Sequence, residues 1–449
     1  MTVLERRIAP VVFCAAVLLL PVDGLVYGVQ MPYWSPISPV LFLAYVLLNA
    51  RRLPWALRRH PYVPVMFCAM AAVSVVGWVT IGVNPTYLGR TTLAVTAAMA
   101  LVLALSLAFD RSPEAGGIRP HTVVTVAVVA YAAAFLFGVF TWLAEPAHFG
   151  WGAVQRTLNP VFLRQYFSSR PQFLFAEPSY IGMHLYGVLL PMFWLTRDRR
   201  LPVLIAIFAV GALAMGSGAR IAVDSAVALV LVAVMMVRWR RLARNPRALA
   251  GAVAGLAAAA VAGAAVVLSQ PRLREVLTGG LLSSDASMSA RLLRTVAPLM
   301  AGLRDPLHLL FGFGAGNLGV AMERGYGPAM AWYTAHGGMM TQEIEEMRHP
   351  FAPTLNRAGN VFTMNAYASF VTEFGLLLAI AAVVLLLVHI TRHHAWSKTT
   401  VCWLLLLAYL YAQFEAYAFY ALPLFLWATG RRRGSRSDAC PRAVRRLVQ

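Results

Sequence analysis

The chain has 449 residues, of which 59% are hydrophobic and only 12% are charged, and its mean hydropathy is +0.66. Soluble domains carry about 25% charged residues, so this composition excludes an ordinary soluble protein. Apolar runs of about 17–25 residues recur along the chain and predict an all-α, polytopic protein embedded in the lipid bilayer. The formal net charge of +20 also occurs in nucleic-acid-binding proteins. Arginine-rich cytoplasmic loops explain it in a membrane protein, and we expect no nucleic acid as a partner.

The apolar runs predict about twelve transmembrane helices. The first run follows Glu5-Arg6-Arg7, and its length and the many runs after it favour a retained helix over a signal peptide. The last run, Thr400–Thr429, is too long for one straight crossing. Gln413-Phe-Glu415 near its middle predicts two short helices joined by a tight turn. The other predicted spans are Ile8–Val29, Pro39–Ala50, Val63–Val83, Thr92–Phe109, Thr122–Leu143, Phe175–Leu195, Val203–Met215, Ile221–Val237, Leu249–Leu268 and Ala366–Ile390.

Basic residues orient these spans. If the N-terminus is cytoplasmic, every dense arginine cluster falls on the cytoplasmic side, as the positive-inside rule requires. Both termini are then cytoplasmic. The main clusters are Arg51-Arg52, Arg58-Arg59, Arg197 to Arg200, Arg238 to Arg247 and Arg431-Arg432-Arg433.

This topology divides the chain into five parts. Residues 1–143 form N-terminal transmembrane helices, 144–268 central helices, 269–362 a partly helical extracytoplasmic loop subdomain, 363–430 C-terminal helices and 431–449 a basic cytoplasmic tail. Some arginines remain on the extracytoplasmic side, where the positive-inside rule cannot explain them. They are Arg156, Arg164, Arg170, Arg220, Arg291 and Arg294.

The first polar constellation joins three of these arginines to Glu177-Pro178-Ser179. Guanidinium groups bind phosphate oxygens in bidentate fashion and stay charged at any working pH. Arg156, Arg164 and Arg170 therefore suit a lipid-linked pyrophosphate. Burying a carboxylate so near the membrane costs free energy unless the group is paired with a cation or has a functional role. Glu177 is a candidate catalytic residue, and helix capping or pairing with Arg170 is the structural alternative.

The second constellation is a very short turn, Gly216-Ser217-Gly218-Ala219-Arg220, between two predicted spans. An arginine at a helix N-terminus opposes the helix dipole, so we expect a negative group beside it. That group is either a phosphate or Asp224, one turn further on.

The third constellation lies in the predicted loop subdomain. Arg291 and Arg294 follow Ser289, and a glycine-rich stretch runs from Gly312 to Asn317. No Lys-Ser/Thr pair follows the glycines, which excludes a nucleotide-binding P-loop. Arg291 is a candidate phosphate contact, with a solvated helix face as the alternative.

The fourth constellation, Asn365, Tyr367 and Glu373, opens the next predicted span. An acid inside a span is functional by default, and helix packing is the alternative for Glu373. His336 and His349 are candidate general bases or ordinary surface histidines. Asp23 and Glu415, in the first and last apolar blocks, are predicted to pair inside the bundle. The scattered cysteines Cys14, Cys68, Cys402 and Cys440 support neither a disulfide framework nor a metal site.

At these residues the chain resembles the O-antigen polymerase and ligase family of bacterial membrane proteins. Arg170 with Phe175-x-Glu177-Pro178-Ser179 resembles the family's arginine and Phe-x-Glu-Pro-Ser motif, with Phe173 where glycine is common. Ser217-Gly218-Ala219-Arg220 resembles its Ser-x-x-Arg turn. Arg291 with Phe311–Asn317 resembles the family's arginine helix and its Gly-x-Gly-x-Gly-Asn loop. Asn365-x-Tyr367 through Glu373-x-Gly375 resembles the start of a family helix with the pattern Asn-x-Tyr…Glu-x-Gly.

The resemblance implies a fold like that of the second GT-C glycosyltransferase class, on the periplasmic face of the bacterial inner membrane. It implies an undecaprenyl-pyrophosphate-linked glycan as substrate, no cofactor and no metal, and a chain-length regulator as a further candidate partner. Arg170, Arg220 and Arg291 would hold the pyrophosphate, Glu177 would deprotonate or orient the acceptor, and His349 is the second choice for that role. The other predicted substrate contacts are Arg156, Arg164, Ser179, Arg294, Asn317, Asn365, Tyr367 and Glu373.

The function expected from this resemblance is polymerisation of O-antigen or exopolysaccharide repeat units. Ligases of the family typically carry a histidine just before the asparagine, and Met364 at that position favours a polymerase over an O-antigen ligase. The alternative of another class is a polysaccharide flippase or other transporter. A transporter predicts internal repeats and helices interrupted at mid-membrane. Charged motifs at the ends of spans and the long loop favour an enzyme instead.

Overall fold

The computed structural model describes residues 7–23, 37–110, 117–144, 151–163, 170–236, 245–269, 274, 286–353, 360–414 and 419–431. All regular structure within these ranges is helical. The prediction of an all-α protein is confirmed for this part of the chain.

The helices of the first half follow the apolar runs of the sequence. Between α7 and α10 lies a broken segment: the 3₁₀ turn Pro178–Tyr180, α8 (Ile181–His184), the π-helical turn Leu185–Leu189 and α9 (Leu190–Thr196). The remaining helices are α1 (Ala9–Leu18), α2 (Ser38–Leu48), α3 (Leu53–Arg59), α4 (Tyr62–Thr80), α5 (Pro85–Phe109), α6 (Pro120–Ala144), α7 (Gly152–Phe162), α10 (Arg200–Ala214), α11 (Ala219–Met236) and α12 (Pro246–Ser269).

The second half contains the loop subdomain and the last apolar helices. Within the predicted loop subdomain, the described residues 286–353 contain four helices. Its helices are α13 (Ala286–Arg304), α14 (Pro306–Phe311), α15 (Leu318–Ala335) and α16 (Gln342–Glu346). The C-terminal helices are α17 (Ala366–Arg392), α18 (Lys398–Tyr411) and α19 (Ala421–Thr429).

Four of the described helices, α4, α5, α6 and α17, are long and apolar enough to cross a membrane, and a bent pair, Ser38–Leu48 with Ala50–Arg59, makes a fifth if it is one span. Their exposed side chains include large aliphatic residues such as Val79, Leu136 and Val383, which lipid tolerates and water does not. The protein is therefore a helical, membrane-embedded protein. A total of about twelve spans stays a prediction.

Two predicted spans differ from the structure in their continuity. The first was expected over Ile8–Val29, but α1 ends at Leu18, and the chain turns through Pro21 to bury Asp23. Proline has no N–H to continue a helix, and a buried carboxylate needs a partner off the helix axis. The span predicted over Phe175–Leu195 begins instead at Pro178 and is broken by the π-helical turn.

The last apolar block is two helices, as predicted. α18 ends at Tyr411 and α19 begins at Ala421, with Gln413 in the connection. Glu415 lies outside the described residues, so its predicted pairing is not seen. The Tyr411 hydroxyl accepts from the Leu422 N–H at 3.2 Å and donates to the Phe419 carbonyl at 3.1 Å, which holds this connection closed.

The bundle has two distinguishable ends. At one, which we call the motif end, the connection after α18 contacts three segments. The Gln413 carbonyl accepts from Arg220, the Phe414 carbonyl accepts from the Ala366 N–H of α17, and the Phe414 ring packs on Tyr180 after the Glu177 turn. At the opposite end Asp110 receives Arg59 Nε at 2.9 Å and Arg431 Nε at 3.4 Å. This carboxylate ties α3, α5 and the end of α19 together.

The loop subdomain packs against the motif end. Its α13 and α15 cross so closely that a Cβ on Gly325 would collide with the Ala297 carbonyl. In the connection from α13 to α14, Asp305 accepts from His308, whose Nε2 lies 2.8 Å from the Thr80 hydroxyl at the end of α4. Burial opposes ionisation of Asp305, but the hydrogen bonds from His308 outweigh it and hold the pKa of this carboxyl below its usual value. The dyad anchors the subdomain to the membrane helices.

Candidate functional site

Arg170 lies against the turn between α10 and α11. The turn needs glycine at Gly216 and Gly218, whose φ angles are +74° and +124°. A Cβ on Gly218 would lie 3.6 Å from Arg170 Nη1. Two motifs separated by more than forty positions in the sequence are thus neighbours in the fold.

Arg220 begins α11 with only part of its guanidinium engaged. Its Nη2 donates to the Gln413 carbonyl at 3.1 Å and contacts Met183 Sδ at 3.4 Å. Its Nε and Nη1 are buried and make no hydrogen bond with any described residue. The side chain is 12% exposed. These buried N–H groups lie beside Asp224 and have no hydrogen-bond acceptor among the described residues.

Asp224 is the negative group that the sequence led us to expect beside Arg220. Its Oδ2 lies 3.8 Å from Arg220 Nε, which is longer than a hydrogen bond, while its Oδ1 accepts from the Tyr409 hydroxyl at 2.7 Å. Arg291 also acts electrostatically on this carboxylate. Gly182 leaves room for Asp224 because it has no side chain, and a Cβ at this position would collide with the carboxylate.

The Glu177 turn completes the group. Glu177 is partly buried, and its Oε2 accepts from the Ser179 hydroxyl at 2.9 Å. It stands at the N-cap position of the 3₁₀ turn, yet its side chain makes no capping hydrogen bond. Capping, one of the two alternatives weighed for Glu177, is therefore not the role that this side chain takes.

A buried polar chain that the sequence did not predict as a unit lies directly beneath this turn. His184 Nε2 is 2.9 Å from Asp23 Oδ2, and the Tyr131 hydroxyl is 2.8 Å from His184 Nδ1. The predicted pairing of Asp23 inside the bundle is confirmed, with His184 as the partner. The two residues are 161 positions apart, so the sequence does not show that they are in contact. Its only indication is that each is a polar residue within an apolar run.

Phe173 lies just before the Glu177 turn in a backbone conformation that is unusual for a residue with a side chain. Its φ is +60°, a left-handed conformation that favours glycine. The ring is buried and packs on Phe208 with 4.6 Å between centroids. A Cβ on Gly138 would collide with this ring, so the small residue is on the facing helix here. The packing offsets the backbone strain.

Glu373 and Asn317, both predicted substrate contacts, hold the glycine-rich loop instead. Glu373 Oε1 accepts from the Gly316 N–H at 2.8 Å and from the Thr91 hydroxyl at 2.9 Å. Asn317 Nδ2 donates to the carbonyls of Phe313 at 2.8 Å and Gly82 at 2.9 Å. Both side chains are buried. Their hydrogen bonds belong to the protein interior, which corresponds to the helix-packing alternative given for Glu373.

Asn365, Tyr367 and Arg294 also have structural contacts. Asn365 caps α17, since its Oδ1 accepts from the N–H groups of Tyr367 and Ala368 at 3.0 and 3.1 Å. The half-exposed Tyr367 donates to the Ala408 carbonyl at 3.2 Å. Arg294 is fully buried. It stacks 3.8 Å from the centre of the Phe362 ring and pairs with Glu343 at 3.3 Å.

Two other predicted residues have exposed side chains. Arg156 is exposed on α7, and His349 is exposed after α16. Arg164 lies outside the described residues. His308, missed as a candidate in the sequence, is engaged with Asp305 and Thr80 as described above. The arrangement that remains centres on Asp224. Arg220 lies 3.8 Å from this carboxylate, Arg291 acts on it electrostatically, and Arg170 lies at the adjoining Gly218.

Neither a protein-family model nor a curated protein matches this chain. Among the described residues no group of three or more His, Cys, Asp or Glu side chains has the arrangement of a metal site. What the cluster can do chemically follows from its own charges. Arg220 and Arg291 both act on the carboxylate of Asp224, and Arg170 lies at the neighbouring Gly218. More guanidinium groups than carboxylates are therefore documented here, and a local excess of positive charge suits an anion.

Proposed function

We propose that this protein is a membrane glycosyltransferase that polymerises undecaprenyl-pyrophosphate-linked oligosaccharide repeat units on the extracytoplasmic face of the bacterial inner membrane. The observation that carries the proposal is the meeting of Arg170, Arg220 and Arg291, from three distant parts of the chain, at the motif end. Three cations at the end of apolar helices fit an anionic headgroup carried by a lipid.

The leaving group of the proposed reaction is the lipid pyrophosphate. As the bond between the anomeric carbon and the pyrophosphate oxygen breaks, negative charge grows on that oxygen. In the proposed reaction, the Nε and Nη1 hydrogens of Arg220, which no described residue accepts, would stabilise such charge. Fixed donors in a site that excludes water stabilise a developing charge more strongly than water does.

The acceptor is a sugar hydroxyl of a second repeat unit. Its oxygen forms a bond to the anomeric carbon, and its proton passes to a base, for which Glu177 is the proposed group. The hydrogen bond from Ser179 orients this carboxylate. The balance is one glycosidic bond formed, one lipid pyrophosphate released and one proton transferred, with no external co-reactant.

Met364 favours a polymerase over a ligase within this proposal. It directly precedes the N-cap Asn365 and has a positive φ of +66°, but its thioether cannot accept a proton as an imidazole does. A flippase is the alternative of another class, and it requires no bond-forming chemistry.

The test is an elongation reaction. Purified protein is incubated in lipid nanodiscs with undecaprenyl-pyrophosphate-linked repeat units, and the products are resolved by size. A ladder of chain lengths supports the proposal. Transfer of the glycan to a lipid A core would support a ligase, and movement of unaltered lipid-linked units across proteoliposomes without a ladder would support a flippase.

A further inference from the structure

Asp23, His184 and Tyr131 form a buried polar chain that the proposed chemistry does not use. Such groups are costly to bury among membrane helices unless they hydrogen-bond. We propose that Asp23 is a positioning residue for Glu177 and is itself held by His184 and Tyr131. This inference rests on the proposed function, since it gives Asp23 a part in the same site.

Asp23 hydrogen-bonds to the backbone that precedes the Glu177 turn. Its own N–H donates to the Leu174 carbonyl at 3.3 Å. Its Oδ1 accepts a short hydrogen bond from the Ala176 N–H. Asp23, which follows α1, therefore fixes the backbone of Leu174 and Ala176, just before Glu177.

The second carboxylate oxygen reaches the other side of the turn. Asp23 Oδ2 lies 2.9 Å from Nε2 of His184, at the end of α8. One carboxylate thus closes the segment between residues 176 and 184, within which the Glu-Pro-Ser turn lies. The position of the Glu177 backbone follows from this closure rather than from the turn sequence alone.

Tyr131 determines the tautomer of His184 that can donate a hydrogen bond to Asp23. If the Tyr131 hydroxyl donates to Nδ1 of His184 at 2.8 Å, then Nε2 carries the proton and donates to Asp23. Every polar atom of the imidazole is then satisfied. A chain of hydrogen bonds in a low-dielectric site is reinforced along its length.

Packed aromatic rings keep this chain dry and in place. Phe175 lies 4.6 Å from His184 between ring centroids, and Phe419 and Tyr420 approach the imidazole at 5.7 and 6.1 Å. The π-helical turn Leu185–Leu189 begins directly after His184, and such turns are frequent at functional sites.

The experiment compares Asp23→Ala with Asp23→Asn in the elongation reaction. Asparagine keeps an oxygen for the Ala176 N–H, and alanine does not. A displacement of about 1 Å costs a catalytic group about 10²-fold in rate. We expect Asp23→Ala to lower kcat by about 10²-fold with little change in KM for the lipid-linked donor, and Asp23→Asn to recover most of kcat. His184→Phe, which fits the surrounding rings, should behave like Asp23→Ala.

Hydrogen exchange provides a readout that needs no activity. In Asp23→Ala the peptide covering residues 170–182 should exchange faster than in the wild type, and in Asp23→Asn it should stay protected. Asp110→Asn is the matched control, because Asp110 is an equally buried carboxylate at the opposite end. It should leave the exchange of residues 170–182 and the kcat of the folded protein unchanged.

Two results would overturn the inference. One is unchanged exchange of residues 170–182 in Asp23→Ala, which would show that Asp23 does not hold the turn. The other is faster exchange with a kcat equal to that of Asp110→Asn, which would show that holding the turn is irrelevant to the reaction. If the wild type itself makes no ladder, the proposed function fails, and the exchange measurement still decides whether Asp23 holds the turn.

Discussion

Arg220 makes its hydrogen bonds through Nη2 alone, and its contact with Asp224 is a charge interaction at 3.8 Å. Bidentate hydrogen bonding to Asp224 would occupy two further N–H donors of the guanidinium. The structure instead holds Arg220 in place by its backbone contact and leaves Nε and Nη1 unbonded by the described residues. This is the arrangement expected of an arginine whose partner arrives with the substrate.

The first prediction concerns that arginine. Arg220→Ala should lower kcat of elongation by about 10²–10³-fold, the usual cost of losing a donor to developing charge. Arg220→Lys should recover only part of it, because an ammonium cannot replace a planar fork of donors. Arg304→Ala, an exposed arginine on α13, is the control and should keep wild-type activity. Equal rates for Arg220→Ala and Arg304→Ala would contradict the assignment.

The second prediction concerns Glu177. Glu177→Gln keeps the shape of the side chain and an oxygen for the Ser179 hydroxyl but removes the base. We expect kcat to fall by about 10²–10⁴-fold, the range for general base catalysis, with KM for the donor nearly constant. The measurement is initial rates over a range of donor concentrations. A variant with wild-type kcat would exclude Glu177 as the base.

At the scale of elements, the glycine-rich loop is a packing device. Gly312 and Gly375 bring the loop and α17 so close that a Cβ on either would collide with the backbone of the other segment. Phe313 and Gly314 donate to the carbonyls of Thr372 and Glu373 at 2.8 and 3.0 Å. The loop is therefore part of the helix bundle, and it packs against α17 where the helical geometry is broken at Gly375 (φ +83°).

The third prediction tests this close approach. Gly375 and Gly337 have similar φ angles of +83° and +78°, but Gly337 has open space around it. Both alanine variants suffer the strain of a positive φ, and only Gly375→Ala adds a collision. We expect Gly375→Ala to lose about 1–3 kcal/mol more stability than Gly337→Ala. Thermal unfolding in detergent measures the difference, and equal Tm values would contradict the packing account.

The fourth prediction concerns α7, which follows the candidate span α6. Trp151, Val154, Leu158 and Val161 are exposed at spacings of three and four residues, so they form one apolar stripe. Arg156 lies on the opposite side of the helix. Because Trp151 stacks on Phe140 of α6, we expect the stripe to face the lipid interface.

Spin labels measure the orientation of α7. In a background without the native cysteines, a label at Val154→Cys in nanodiscs should be more accessible to oxygen than to a water-soluble nickel reagent. A label at Arg156→Cys should show the reverse. The same preference at both positions would contradict an interfacial helix.

At the scale of the whole molecule, apolar runs predicted the helices well because burial in lipid requires long apolar helices. The two helices within Thr400–Thr429 followed from the length of the run and from the polar residues Gln413 and Glu415 near its middle. The broken helix after Pro178 did not, because a π-helical turn depends on packing. The roles of Glu373, Asn317 and Asn365 in substrate binding stay predictions. In the structure Glu373 accepts from the Gly316 N–H and the Thr91 hydroxyl, and Asn317 donates to the Gly82 carbonyl. The sequence carries no signal for contacts between residues so far apart.

The fifth prediction concerns the orientation of the molecule. If the positive-inside rule holds, the motif end and the loop subdomain face the periplasm. Arg348→Cys, exposed in the loop subdomain, should react with a membrane-impermeant maleimide in intact spheroplasts. Arg58→Cys, exposed at the opposite end, should react only after lysis. The reverse pattern would place the arginine cluster in the cytoplasm and contradict the proposed site.

The central claim is that the arginine cluster activates a lipid pyrophosphate as leaving group. The most direct measurement is the amount of undecaprenyl pyrophosphate released for each glycosidic bond formed by the purified protein. We predict a ratio of about one in the wild type and in Arg304→Ala, since each transfer breaks one bond to pyrophosphate, and loss of both products in Arg220→Ala. Release without bond formation, or elongation that persists in Arg220→Ala, would contradict the account.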